Sequence, residues 1–363
     1  MAGRRTPEQR ASAREADLAA VQDRLTRAVE ALVSGDDWIR ALRFAARFRT
    51  RSFANTLLIW TQHTAAYQAG LVDAPEPSYV AGYGQWQMLG RHIVAGQHGY
   101  VIRAPSTVHE ASATPDDPTS WRRLRRGERP RPGETQRHRT TGFVPVRVFD
   151  VSQTGGAPIP QRPEPQLLAG QAPAGLSEGL DAQITRAGFT LRAAAGAGEL
   201  GGANGLTDFA AREVRWRSDM DPVAQVKTKT HELAHITMHG PDNPDATGHR
   251  GIGEVQAESV ALMVLAAYGM DSSAYTVPYV AGWASAVPEV SPVEVVRTTG
   301  ESVRRVALDI LAGLPATPGG DGLPPGLVER IGQRDADQAA GRTSATRPPT
   351  TRAGSGHGAG VGR

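Results

Sequence analysis

The segment that most restricts the fold of this 363-residue chain lies between Asp221-Pro222 and Gly240-Pro241. A carboxylate followed by proline starts a helix, because the missing N–H of proline costs nothing at the first helical position. Glycine followed by proline stops one. Between these signals the chain reads His231-Glu232-Leu233-Ala234-His235. Residues four apart on a helix share a face, so His231 and His235 direct both imidazoles toward one point. That spacing suits a shared Zn2+ ion, with Glu232 beside it as acceptor for a proton from bound water. The chain has no cysteine. Thiolate zinc sites, iron–sulfur clusters, disulfide frameworks and a cysteine nucleophile are therefore excluded, and any metal must sit on His, Asp or Glu.

A hydrolytic zinc site uses a third protein ligand and keeps one position open. His239 lies four residues further along the same helix, whose drift carries it away from the ion, so it reads as near-site surface. His249 lies in a glycine-containing loop and is a weaker candidate. A second helix is expected from Gly253 to Tyr268, closed by Gly269. It carries Glu254 and Glu258 four apart on one face of an otherwise apolar run that includes Val255, Val260, Leu262, Val264 and Leu265. Carboxylates buried alone are costly, so a cation shared with the two histidines is their natural partner. The residues alone leave Glu254 and Glu258 both open as the third ligand.

The two histidines, with Glu254 following 19 residues after His235 and Glu258 one turn later, resemble the gluzincin metallopeptidases. The resemblance implies that Glu254 binds the metal and that Glu258 orients a ligating imidazole from behind. It also implies metal-assisted amide hydrolysis, with Glu232 as base and then as acid to the leaving amine. The run Glu254 to Ala261 is similar to the E-x-x-A-N-x-F-A pattern of IrrE/ImmA peptidase-like domains, with Glu258 standing where Asn is common. A minimal zincin fold implies a strand ahead of the active-site helix, for which Arg212 to Arg217 is the candidate. Tyr275 and Tyr279 are both available as partners for an oxyanion.

The front of the chain has a different character. Residues 1–150 hold 22 Arg and 15 acidic residues, a net charge of +7, whereas residues 151–363 carry −4. Leu18, Val21, Leu25, Val29 and Leu32 recur at helical spacing after Thr6-Pro7, and Ser34-Gly35 reads as the end of that helix. A second helix is expected after Asp36-Asp37 and a third from Ser52 to about Tyr67. Strands are expected at 100–103 and 143–151. Residues 105–140, polar and rich in arginine, show no apolar period and predict a mobile loop. Arg47, Arg49, Arg51, Asn55, Trp86, Arg91 and Arg103 interleave cations with amide and ring groups. Such a mixture suits single-stranded nucleic acid, where guanidinium groups neutralise phosphates and rings stack bases.

The segments SFANTLLIWTQH, YGQWQMLGRHIVAGQHGYVI and FVPVRVFDVSQT resemble the N-terminal domain of ArdC-type antirestriction proteins. Trp86, Leu89-Gly90, Val94, Gly96, Gly99, Val148-Phe149-Asp150 and Gln153-Thr154 carry the likeness. Ala95 and His98 stand where the family favours lysine. The resemblance implies a single-stranded DNA-binding domain joined to a zincin-like domain, in the order seen here.

The expected fold class is α+β with two domains. Residues 10–155 would form the DNA-binding module and 156–176 a Pro/Gly linker. Residues 177–312 would form the zincin-like (gluzincin) module, and 313–363 a disordered tail. The expected protein is soluble and cytoplasmic. It has no membrane span and no secretory signal, since no apolar stretch follows the basic start. It would bind single-stranded DNA and cleave an unidentified protein substrate. The alternatives are a zincin-fold binding protein without catalysis and a cytoplasmic metallopeptidase that does not bind DNA.

Overall fold

The computed structural model describes residues 6–125, 127–159, 170–240, 250–270, 280–285, 287, 289–316 and 318–344. His249, Tyr275 and Tyr279 lie outside them.

Three helices open the chain: α1 (Pro7–Glu30), α2 (Gly35–Arg47) and α3 (Phe53–Gln68). Thr6 caps α1 in a reciprocal pair with Gln9. The Ser34 hydroxyl accepts from the Asp37 amide, so Ser34 begins α2 rather than ending α1. Its own amide donates to Asp37, which is why Asp37 is not the cap that its position suggested. Trp38, Leu42, Phe44, Ala45 and Ala46 bury α2 on more than one side.

Next come β1 (Val80–Gly82), α4 (Tyr83–Met88), β2 (Arg91–Ile93), β3 (Tyr100–Ser112), β4 (Arg122–Arg123), β5 (Thr135–Asp150) and β6 (Thr154–Gly156). An antiparallel sheet has the order β1-β5-β3-β4, and β2 pairs with β6. At its start, ahead of the short pairing with β4, the outer edge of β3 is closed by α3 instead of by another strand. Asn55 donates to the Arg103 carbonyl and accepts from its amide, and Gln62, two turns on, does the same for Val101. Two side-chain amides thus replace the neighbour that the edge lacks.

The loop expected over 105–140 is largely an extended two-stranded arm, with β3 and β5 in register from Tyr100↔Val148 out to Ser112↔Thr135 and an irregularity at Ser106/Thr107. Polar contacts hold it, which an apolar period cannot reveal. Glu110, 5% exposed, receives Arg137 and Arg139, and Arg122 pairs with Glu128 and Glu134. Three arginines of the segment expected to be a mobile loop, Arg122, Arg137 and Arg139, thus have carboxylate partners within the arm.

The second half contains α5 (Leu176–Arg186), β7 (Thr190–Ala194), β8 (Gly205–Asp208), β9 (Glu213–Arg217), α6 (Pro222–Met238), α7 (Arg250–Ala267), α8 (Val280–Ala284), α9 (Pro292–Ala312) and α10 (Leu327–Ser344). Strand β9 lies between parallel β7 and antiparallel β8, so β8 is an edge beside α6.

The larger of two hydrophobic clusters among the described residues runs through both halves. Trp38 of α2 is fully buried, donates its indole N–H to Ser259 of α7 at 2.9 Å, and meets the rings of Phe53 and Trp283.

The tail expected to be disordered from 313 continues as structure to Ser344. The Gly319 amide donates to Ala267, the Val80 amide donates to the Gly322 carbonyl, and buried Leu327 packs with Trp86 and Phe149. Gly322 has φ +79, and a Cβ there would collide with Phe48. Composition misread this segment because backbone hydrogen bonds and a close glycine approach dock it. Residues 345–363 lie outside the described residues. Among the described residues no helix is long and apolar enough to cross a membrane.

Candidate metal centre

Helix α6 begins where its sequence dictates: Asp221 accepts from the Ala224 amide at 2.9 Å and Pro222 follows. Val226, Leu233 and Ala234 anchor the opposite side of the helix in the core. His231 and His235 then project toward α7, their Nε2 atoms 3.0 Å apart. Glu254, in the early part of α7, closes the cluster. Its oxygens lie 3.4 Å from His231 Nε2 and 3.6 Å from His235 Nε2. One ligating atom from each of the three residues falls within 4.8 Å of the others. Two imidazoles and a carboxylate at such separations fit a divalent cation. The Glu254 side chain is 68% exposed, so it can adjust to an arriving ion.

Glu258 stands behind His231. It lies 3.3 Å from Nδ1, on the ring edge away from the cluster, and is paired with Lys227 at 2.6 Å. Glu232 is buried. Its carboxylate accepts the Thr207 hydroxyl of β8 at 2.7 Å, and Gly205 leaves the space that it occupies. A cleft of about 550 Å³ joins these groups. His231, Glu232, His235, Glu254 and Glu258 form one wall, and Asn204 to Thr207 with Phe209 form the other.

The cluster is polarised by its own charges. Burial opposes a charged His231, but hydrogen bonds to Glu254 and Glu258 outweigh it and raise its pKa to about 9. The imidazole of His231, and after it that of His235, holds Glu254 far below the ordinary glutamate range, against the effect of burial. Burial works against a charged Glu258, yet His231 and Lys227 keep it below its usual value.

His239 does more than its sequence position suggested. Its Nδ1 is 3.0 Å from His235 Nδ1 and its Nε2 is 2.8 Å from Gln256 Oε1. The i, i+4 repeat of histidine through 231, 235 and 239 was a usable signal. Gln256, placed between the two glutamates of α7, carried none.

The residues expected to touch nucleic acid do not form one surface. Trp86 is fully buried and donates to the Phe149 carbonyl, so its ring has no face for a base. Asn55 is committed to the β3 edge. Arg51 donates to the Val80 carbonyl, and burial lowers its pKa. Arg49 bonds the Ala46 and Gly319 carbonyls, and Arg91 bonds Thr154 and Ala157. These five hold the fold together. Arg47 is half exposed and paired with Glu76. Arg103 lies 4.8 Å over the exposed ring of Phe143 and bonds Gln22. Phe143 was not among the expected contacts. Its place beside Arg103 follows from the register Pro105↔Phe143, which the sequence does not display.

Residues 18–149 match the family described as the N-terminal domain of anti-restriction factor ArdC. An uncharacterized protein of Bacillus anthracis is 24% identical over 273 residues, covering 69% of this chain and 43% of that protein. The chain thus spans less than half the length of that relative. A metal-free crystal structure of the antirestriction ArdC protein from the R388 plasmid is similar at 15% identity and TM-score 0.45, covering 80% of this chain and 99% of that one. The Mn(II)-bound structure of the R388 protein is similar at 17% identity and TM-score 0.39, covering 72% and 88%.

Proposed function

Taking as premise that the chain is of ArdC antirestriction type, carrying that family's N-terminal domain at residues 18–149, we propose that it is an antirestriction factor. In this reading it binds single-stranded DNA and holds a hydrolytic divalent-metal site. The observation that carries the metal site is the convergence of His231, His235 and Glu254 within 4.8 Å, beside buried Glu232 in one cleft.

His231 and His235 would hold the ion through Nε2 and Glu254 through a carboxylate oxygen, with zinc the first choice for this donor set. A bound divalent cation would supply Lewis-acid polarisation of an amide carbonyl and a lowered pKa for water. Glu232, held by Thr207, would take a proton from the attacking water and return it to the leaving amine. Glu258 would orient His231 through Nδ1. Support for the DNA partner comes from the family match of the front domain, its net positive charge and the exposed Arg103–Phe143 pair.

Purified full-length protein should take up about one zinc per chain. Glu232→Gln should retain the metal and abolish cleavage of a mixed peptide pool. Cleavage by wild type that survives Glu232→Gln removes Glu232 from the base role, and metal uptake unchanged in His231→Ala removes the site. Single-stranded DNA affinity of the full chain should fall steeply with salt, and salt-independent or absent binding overturns the DNA reading.

A further inference from the structure

The cluster leaves one problem that the metal reading does not solve by itself. A neutral imidazole carries one N–H and one lone pair, and only the lone pair can bind a metal. His235 can serve only if its proton sits on Nδ1. Among the described residues the ring of His235 meets no carboxylate at Nδ1, unlike His231, whose Nδ1 faces Glu258. Instead it meets a second imidazole, His239, at 3.0 Å. Contact between two ring nitrogens is ambiguous, since either can donate.

Gln256 resolves the ambiguity. Its carbonyl oxygen lies 2.8 Å from His239 Nε2 and can only accept, so His239 Nε2 carries the hydrogen. His239 Nδ1 is then bare and accepts from His235. The proton of His235 is drawn to Nδ1, and its lone pair points from Nε2 toward His231 and Glu254, 3.0 and 3.6 Å away. We infer that His239 and Gln256 are positioning residues that fix the metal-binding tautomer of His235, through a chain of hydrogen bonds linking the end of α6 to α7. The inference rests on the reading of His231, His235 and Glu254 as metal ligands. The chain also has a defined direction. A donor in place of the Gln256 oxygen would reverse every bond in it and put the hydrogen of His235 on Nε2, where the ion must bind.

Two substitutions at Gln256, which is outside the ligand set, separate this from a packing role. Gln256→Glu keeps an acceptor and no donor, so the tautomer and zinc affinity should stay near wild type. Gln256→Leu keeps the bulk and removes the acceptor. Its zinc affinity, measured by competition with a chromophoric chelator, should fall about 10–100-fold, the usual effect of removing such a partner. His239→Phe should match it. A second measurement needs no metal: the ¹⁵N shifts of His235 in metal-free full-length protein should show N–H at Nδ1 in wild type and Gln256→Glu, and lose that preference in Gln256→Leu. Finding His235 protonated at Nε2 in wild type, or equal affinities for the Leu and Glu variants, overturns the inference. Failure of wild type to take up zinc while His235 shows the Nδ1–H form would instead count against the metal reading and support the hydrogen-bond chain.

Discussion

The substitution Gly205→Ala isolates how the cleft holds Glu232. Gly205 of β8 pairs with Trp216 of β9, and its φ is not in the left-handed region, so no backbone strain is involved. The difficulty is space. An added Cβ would sit 2.5 Å from both Glu232 Oε1 and the Thr228 methyl, against about 3.5–4.0 Å for a relaxed contact between carbon atoms. Thr228 is buried on α6 and, being β-branched in a helix, has little rotamer freedom. Glu232 could swing aside only by giving up the Thr207 hydroxyl. Overpacking costs about 1–3 kcal/mol. Loss of a hydrogen bond to a charged group adds about 1.5–3. Replacing a strand glycine returns about 0.5–1. The net is a destabilisation of about 1.5–5.5 kcal/mol, read from urea unfolding of the full chain. His231, His235 and Glu254 are untouched, so zinc affinity should hold while any cleavage is lost. In a Thr228→Ala background one of the two obstacles is gone, and the penalty of Gly205→Ala should shrink. Equal penalties in the two backgrounds, or a Gly205→Ala protein as stable as wild type, would refute the steric account.

Trp38→Phe keeps a ring but strands the buried Ser259 hydroxyl, and should cost about 1–3 kcal/mol in the same unfolding assay. Asn55→Ala should lower stability by about 1–3 kcal/mol by uncovering the Arg103 amide and carbonyl, yet leave the salt slope of single-stranded DNA binding unchanged. Arg103→Ala should reduce that slope by about 0.7, the increment for one phosphate contact. Glu110 is held below its ordinary pKa of 4.5 chiefly by the hydrogen bond from Arg139. Its contribution to the β3–β5 arm is therefore complete above that value and lost as pH falls below it. Because Arg137 stacks on Trp121, an acid-side step in Trp121 emission should appear in wild type, identified by its loss in Trp121→Phe, and be missing in Glu110→Gln.

Legibility differed between the halves of the chain for physical reasons. Helix α6 was readable because its caps are local: Asp221-Pro222 at the start and Gly240-Pro241 beyond the end announce it without reference to anything distant. The approach of Glu254 and Glu258 to the histidines was readable from one-turn spacing on two helices. Gln256 was not, since its role depends on the rotation of α7 against the end of α6. In the front half, arginine and tryptophan look the same in sequence whether they face a phosphate or a carbonyl of their own chain. Trp86 and Arg51 turned inward for contacts with Phe149 and Val80, which are remote in sequence. The arm was missed because Glu110, Arg137 and Arg139 replace apolar alternation with charge pairing.

The seating of Trp38 on Ser259 bears on how such a chain can be inherited. Helix α7 carries Glu254 near its start and Ser259 five residues later, so one rod touches both the cluster of His231 and His235 and the interior of the front half. The Pro/Gly stretch near 156–176 looks like a seam where recombination could exchange one half for another, but the interior crosses it. A front half joined to a foreign second half would arrive with Trp38, Phe53 and their neighbours facing the wrong surface. The two halves must therefore change together, substitution by substitution, and a cut at the apparent seam would yield two pieces that each expose half of a core.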